Sequence, residues 1–156
     1  MKRIYIVIIF CLILTSIIAF KARIDKEAMS LEDYVSLGNQ MGMKGNHIEA
    51  SKAFKSAVKI NPYYIPAYLG LGTAYGNLDR NEEAIEVFKE GIKLNRVHSF
   101  VPQMQMGIAT IAYDKMRDGK TAVQYVKKAL QNYTNQGDYA GVALAGQKLQ
   151  QIDPDS

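Results

Sequence analysis

The sequence predicts an all-α chain: an α-solenoid of helix-turn-helix repeats with a C-terminal capping helix, plus one N-terminal transmembrane helix. Three observations predict it. Residues 31–64 and 65–98 align without a gap as two copies of one 34-residue pattern. Within each copy, apolar and small residues recur three and four apart, the spacing of a single helical face. Ahead of them, residues 4–20 form an uncharged, almost wholly apolar run. A fixed period of this length marks stacked architectures, in which each unit buries its apolar face only against its neighbours.

The apolar run reads IYIVIIFCLILTSIIAF, with Lys2 and Arg3 before it and Lys21 and Arg23 after it. As a helix it spans about 25 Å, the lower limit for crossing a hydrocarbon core. Flanking basic side chains can snorkel and extend that span. A cleaved signal peptide has a shorter apolar core and a small-x-small cleavage site. Here the run ends Ile17-Ile18-Ala19-Phe20-Lys21-Ala22. The expectation is a retained anchor over 1–23 and a linker over 24–30, with an exported, cleaved protein as the alternative. Phe10 is too large for the residue that lipoprotein processing at Cys11 would need. Basic residues are nearly balanced across the run, so the positive-inside rule discriminates weakly. A short N-terminal tail staying in the cytoplasm places the repeats on the extracytoplasmic side of a membrane.

In the first repeat (31–64), Tyr34, Leu37 and Met41 share one face of a first helix. Gly38 and Ala50 lack bulk, which lets two helices approach closely. Phe54 and Val58 continue the buried face of a second helix. Lys44-Gly45-Asn46 is a turn, with Asn46 as N-cap and Glu49 completing a capping-box-like pair. The second repeat (65–98) aligns Tyr68, Leu71, Gly72, Ala84 and Phe88 with Tyr34, Leu37, Gly38, Ala50 and Phe54. Asn81 reads as its N-cap, with Glu82 and Glu83 in the first turn, where the helix dipole favours anions. Pro62 stops one helix and Pro66 opens the next.

A third, degraded copy covers 103–136. Placing Tyr113 over Tyr75 puts Ala122 over Ala84 and Ala129 over Gly91, with Thr110 replacing the glycine and Val126 the phenylalanine. This register needs four extra residues, Ser99 to Pro102. Gly119 falls in a turn. After Gln136-Gly137-Asp138, residues 138–152 read as a capping helix with apolar Val142, Leu144, Ala145, Leu149 and Ile152, and 153–156 as a tail. Residues 31–152 thus form one cooperative domain of about seven helices.

This pattern resembles the tetratricopeptide repeat family, whose signature combines an aromatic, Leu-Gly, Tyr, Ala, Phe, a second small residue and Pro. The first copy supplies Tyr34, Leu37, Gly38, Ala50, Phe54, Ala57 and Pro62, with Met41 at the Tyr position. The second supplies Tyr68, Leu71, Gly72, Tyr75, Ala84 and Phe88, with Gly91 as the small residue and Arg96 at the Pro position. The resemblance implies a right-handed solenoid whose first helices line a concave groove for a partner's peptide or helix. The groove positions it implies are Val35, Asn39 and Met43, then Leu69, Thr73 and Asn77, then Gly107, Ile111 and Lys115. It also permits a subtype test. Members that clamp a terminal carboxylate use two Lys, two Asn and an Arg, at positions held here by Val35, Asn39, Gly70, Met104 and Ile108. Only Asn39 agrees, so a carboxylate-clamp cochaperone is excluded.

Charge narrows the partners. The formal net charge is +4, but Lys2, Arg3, Lys21 and Arg23 account for all of it. From Ile24 onward 15 basic residues balance 15 acidic ones. A nucleic-acid binder carries a basic stripe; here the local cluster Lys115, Arg117, Lys120, Lys127 and Lys128 is diluted by Asp114 and Asp118. No nucleic acid is expected. One cysteine excludes an intrachain disulfide framework. His47 and His98 lie far apart without metal-ligand spacing. Gly70-Leu71-Gly72 is repeat packing and not a phosphate loop, and no GxSxG elbow occurs. The methionines at 41, 43, 104, 106 and 116 read as core first and adaptable surface second. The sequence therefore points away from an enzyme, a cofactor or a metal. It points to a membrane-anchored interaction module that scaffolds an envelope or membrane-associated complex through a protein or peptide partner, with self-association open.

Overall fold

The structure, a computed structural model, describes residues 13–18 and 29–154. The chain divides into two compact units, Met1–Ser30 and Leu31–Ser156. In the first unit, residues 13–18 are helical and expose Ile13, Leu14, Ile17 and Ile18. Among the described residues no helix is long and apolar enough to cross a membrane. That finding corrects the expected membrane localisation with the repeats on the extracytoplasmic side. Crossing a hydrocarbon core takes about 20 helical residues, and apolar composition alone does not supply them. Most of the run 4–20, and the choice between anchor and cleaved signal, lie outside the described residues.

The second unit runs α1 (Leu31–Met43), α2 (His47–Ile60), α3 (Ile65–Asn77), α4 (Asn81–Leu94) and α5 (Val101–Thr110). A π-helical turn (Ile111–Lys115), α6 (Gly119–Gln136) and α7 (Tyr139–Ile152) complete it. No strand occurs among the described residues. The helices pair as hairpins α1/α2, α3/α4 and α5/α6, with α7 laid on α6. Successive hairpins stack through α2 on α3 and α4 on α5, while α3 also touches α1 and α5. The first helices of the hairpins therefore share one side.

Local chemistry sets the turns. Side chains of Asn46, Asp118 and Asp138 each accept a backbone N–H, from Glu49 (3.3 Å), Thr121 (3.0 Å) and Gly141 (2.9 Å). Glu49 does not complete the capping box; its carboxylate takes the Lys52 ammonium at 2.7 Å. Asn81 is not the cap of α4. That place falls to Arg80, in repeat register with Asn46, and a guanidinium has no acceptor to offer a backbone N–H. Arg80 instead chelates the Glu83 carboxylate and lies 4.2 Å over the Tyr75 ring. Among the described residues the buried Asn81 side-chain oxygen has no hydrogen-bond partner. The residue before each hairpin cap is left-handed: Gly45 (φ 74), Asp79 (φ 56) and Arg117 (φ 58). Gly119 opens α6 rather than lying in the turn.

The second helices of repeats one and two stop alike. Asn61 accepts the N–H of Tyr63 at 3.0 Å, and Asn95 that of Val97 at 3.1 Å. These Asx turns divert the backbone from the helix. In the third repeat Tyr133 stands where the Asn would be. Helix α6 then continues to Gln136, and Gly137 (φ 70) ends it. Tyr133 is buried under α7, so close to Gly141 that an added Cβ there would lie 2.2 Å from the ring.

The core rests on two phenylalanines held between glycines. A Cβ on Gly38 or Gly70 would lie 2.8 or 2.5 Å from the Phe54 ring. A Cβ on Gly72 or Gly107 would lie 2.5 or 2.7 Å from the Phe88 ring. Each ring thus wedges between first helices of adjacent repeats, where only a hydrogen fits. In the third repeat the wedge is Val126, packed with Ala109 in a second core that also holds Ala129, Tyr133 and Ala145.

Burial also fixes the third repeat's register. Ala67, Leu71, Gly72, Ala74 and Tyr75 of α3 match Met104, Ile108, Ala109, Ile111 and Ala112, all of them buried. Thr73 matches Thr110, both exposed, and Gly70 matches Gly107, each pressed on a phenylalanine. This is one residue short of the register that placed Tyr113 over Tyr75. The second helix keeps the expected register, with Ala84 and Ala122 both fully buried. The π-helical turn absorbs the difference, because a π turn inserts one residue into an α-helix. Of the four extra residues, three precede the repeat and one lies in this turn. Val101 and Pro102 belong to α5 and are buried.

Candidate functional site

Two adjoining depressions run along the first helices. The first, about 390 Å³, is lined by Val35, Asn39 and Met43 of α1 and by Leu69, Thr73 and Asn77 of α3, with Phe54 in the lining. The second, about 250 Å³, shares Thr73 and Asn77 and continues to Thr110, Ile111, Asp114 and Lys115. All eight side chains expected to face a groove thus lie along one path.

Their exposure differs. Met43 is 90% exposed and Ile111 only 7%. Asn39 and Asn77 are exposed, and among the described residues neither carboxamide makes a hydrogen bond. Thr73 donates its hydroxyl to the Leu69 carbonyl at 2.8 Å, which leaves its oxygen free to accept. Ile111 closes the floor of the second depression, and the accessible residue at that level is Thr110. The one-residue register shift explains this; Gly107 lines the second depression with its backbone and lies against Phe88.

Charge in the groove is already paired. The Lys115 ammonium meets the Asp79 carboxylate at 2.6 Å, and Lys148 meets Asp114 at 3.3 Å. The hydrogen bond from Lys115 to Asp79, then the Coulombic attraction between them, raises the Lys115 pKa. Both pairs bridge successive units, from the α3–α4 turn to the π turn and from the π turn to α7. The groove therefore offers amide and hydroxyl groups over an apolar floor, with no unpaired charge along it.

His47 and Phe100 also line the first depression, and Thr110 and Asp114 the second. Sequence reasoning did not place them. Aligning Gly70 with Gly107 and Thr73 with Thr110 would have found the last two. His98 is held in its loop, where its Nδ1 accepts the Phe100 N–H at 3.2 Å. The positions that a carboxylate clamp would occupy include Met104 and Ile108, both fully buried, and Gly70, which covers Phe54. They form no cationic pocket.

Residues 65–98 match the family model described as tetratricopeptide repeat. Solved structures match the fold of the chain. PcrH from Pseudomonas aeruginosa shares 22% identity over 80% of this chain and 95% of that chain, with a TM-score of 0.73; it has also been solved with the chaperone binding region of PopD. The Yersinia enterocolitica type III secretion chaperone SycD, in complex with a peptide of the translocator YopD, shares 20% identity over 78% and 91%, with a TM-score of 0.70. The TPR2B domain of yeast Sti1, in a complex with pHsp70, shares 16% over 83% and 100%, with a TM-score of 0.74. No curated protein sequence matches the chain.

Proposed function

We propose, from the premise that this chain is a tetratricopeptide-repeat protein, that it is an interaction module holding a partner's peptide or helix in its groove. The observation that carries this reading is the continuity of the two depressions through Thr73 and Asn77. Together they offer a track with apolar contacts at Val35, Leu69 and Met43. Unbonded carboxamides at Asn39 and Asn77 are placed to pair with a partner's backbone, the usual division of labour in peptide recognition. Complexes of PcrH and SycD with segments of their partners support the same use of the fold. A segment with a neutral or apolar face fits, because a charged one would meet no free counter-charge in the track.

The test is a titration with the partner segment recovered by cross-linking from Asn39 and Asn77. The double change Asn39→Ala, Asn77→Ala removes two amide groups, each worth about 0.5–1.5 kcal/mol when bonded. Affinity falls roughly 5- to 150-fold, with the fold unchanged because both sites are exposed. Equal affinity for the wild type and the double variant contradicts the proposal.

A further inference from the structure

A further depression of about 610 Å³ lies among α4, α5 and α6 and shares no lining residue with the groove. Lys89 and Lys93 of α4, Arg96 in the turn after it and Lys128 of α6 line it, with no carboxylate among its lining residues. None of the four cations is in an ion pair among the described residues. Lys128 lies 4.8 Å over the Tyr125 ring, which also lines the depression. The floor holds a further donor. Gln105 is 6% exposed, and its side-chain oxygen is taken by the Asn132 amide at 3.0 Å. Its own NH2 group makes no hydrogen bond among the described residues. Gln105 lines the depression, so its free NH2 donor is available to an occupant as well as to solvent.

We propose that this depression is a second interaction surface, independent of the groove, for a short acidic segment of a protein partner. Three features select that occupant. Lys89, Lys93 and Arg96 follow one another along α4 and into the turn after it, which suits several carboxylates in a row rather than one small anion. Ile92 and Tyr125 supply apolar surface between the charges. The neighbouring depression on the same side carries Glu82, Glu86 and Asp118, and only Lys89 is common to both. A long polyanion following the helices would run from cations onto these carboxylates, whereas a short acidic segment ends before them.

The experiment uses the full chain and a fluorescein-labelled, end-blocked peptide of about twelve residues alternating Glu with Leu. A matched peptide has Gln in place of every Glu. Fluorescence polarisation is expected to show saturable binding of the Glu peptide only, weakened at least tenfold by Lys93→Gln with Arg96→Gln. Both residues are exposed, and circular dichroism confirms that the variant folds. Raising the salt concentration weakens binding as well, and Asn39→Ala with Asn77→Ala leaves it unchanged. Three results overturn the proposal: no saturable binding, equal binding of the Gln peptide, or equal binding by the charge-deleted variant. Loss on Asn39→Ala with Asn77→Ala would assign the peptide to the groove and also overturn it. Anionic vesicles or duplex DNA binding through the same lysines, while the peptide does not, would reassign the site to phosphate and count against it equally.

Discussion

In the second repeat a phenylalanine is wedged between two glycines; in the third a valine lies against an alanine. Gly72 and Ala109 occupy the same place on their first helices, and Phe88 and Val126 the same place on their second. One change adds a methyl group and the other exchanges a ring for two methyl groups, so part of the bulk lost from the second helix is returned by the first. Compensating exchange of this kind is what cores tolerate best. The third repeat is thus a re-solved version of the second rather than a weakened copy. Its departures are coupled: wedge and socket change together, the π turn takes up one residue, and Tyr133 replaces a stop signal to bury α7.

The largest expected effect comes from breaking the tighter wedge. In Gly72→Leu the added side chain would start 2.5 Å from the Phe88 ring. Overpacking commonly costs 1–3 kcal/mol, and here about 3 or more, because a phenylalanine between two backbones cannot give way. Urea denaturation monitored by circular dichroism checks this. An unchanged midpoint would mean that Gly72 does not face Phe88.

A smaller effect sharpens the comparison itself. Val126→Phe alone should destabilise by about 2 kcal/mol, since Ala109 occupies the space the ring needs. Adding Ala109→Gly should recover part of that loss, with a coupling energy of about 0.5–3 kcal/mol in a double-mutant cycle. Additive effects of the two changes would show that the third repeat packs by a different rule.

The smallest effect lies in the turns. The first repeat has Gly45 in the left-handed region, and the third places Arg117 there. Arg117→Gly should stabilise by about 1 kcal/mol, relieving the strain of a side chain at positive φ. The same change at Asp79 should yield less, because it removes the carboxylate that Lys115 holds. Thermal melting of the two variants side by side decides whether that ion pair offsets the strain.

These regions also show what was legible in the sequence. The two regular repeats and the capping helix could be read directly, because periodicity and small residues carry that information locally. Asn81 was misplaced by one residue because it is the better capping residue by type, although repeat register gives the place to Arg80. The third repeat's first helix was also misplaced by one. A π turn has no sequence signature of its own, and Tyr113 offered a tempting match to Tyr75. That error carried into the groove, where Ile111, which forms the floor, was named and Thr110 and Asp114 were left out. The second basic depression was not legible at all. Lys128 was grouped with its sequence neighbours, whereas folding brings it to Lys89, Lys93 and Arg96 of another repeat. The expectation of a membrane-crossing helix rested on composition, and no described helix is long and apolar enough for it.

The central claim is that three repeats present one groove whose last level is set by the π turn, with Thr110 accessible and Ile111 in the floor. Single cysteines at these two positions, in a Cys11→Ser background, test it through their rates of reaction with a soluble thiol reagent. The account predicts rapid labelling of Thr110→Cys, slow labelling of Ile111→Cys, and slowing of the Thr110→Cys reaction when a partner segment fills the groove. Labelling of Ile111→Cys as fast as that of Thr110→Cys would contradict it.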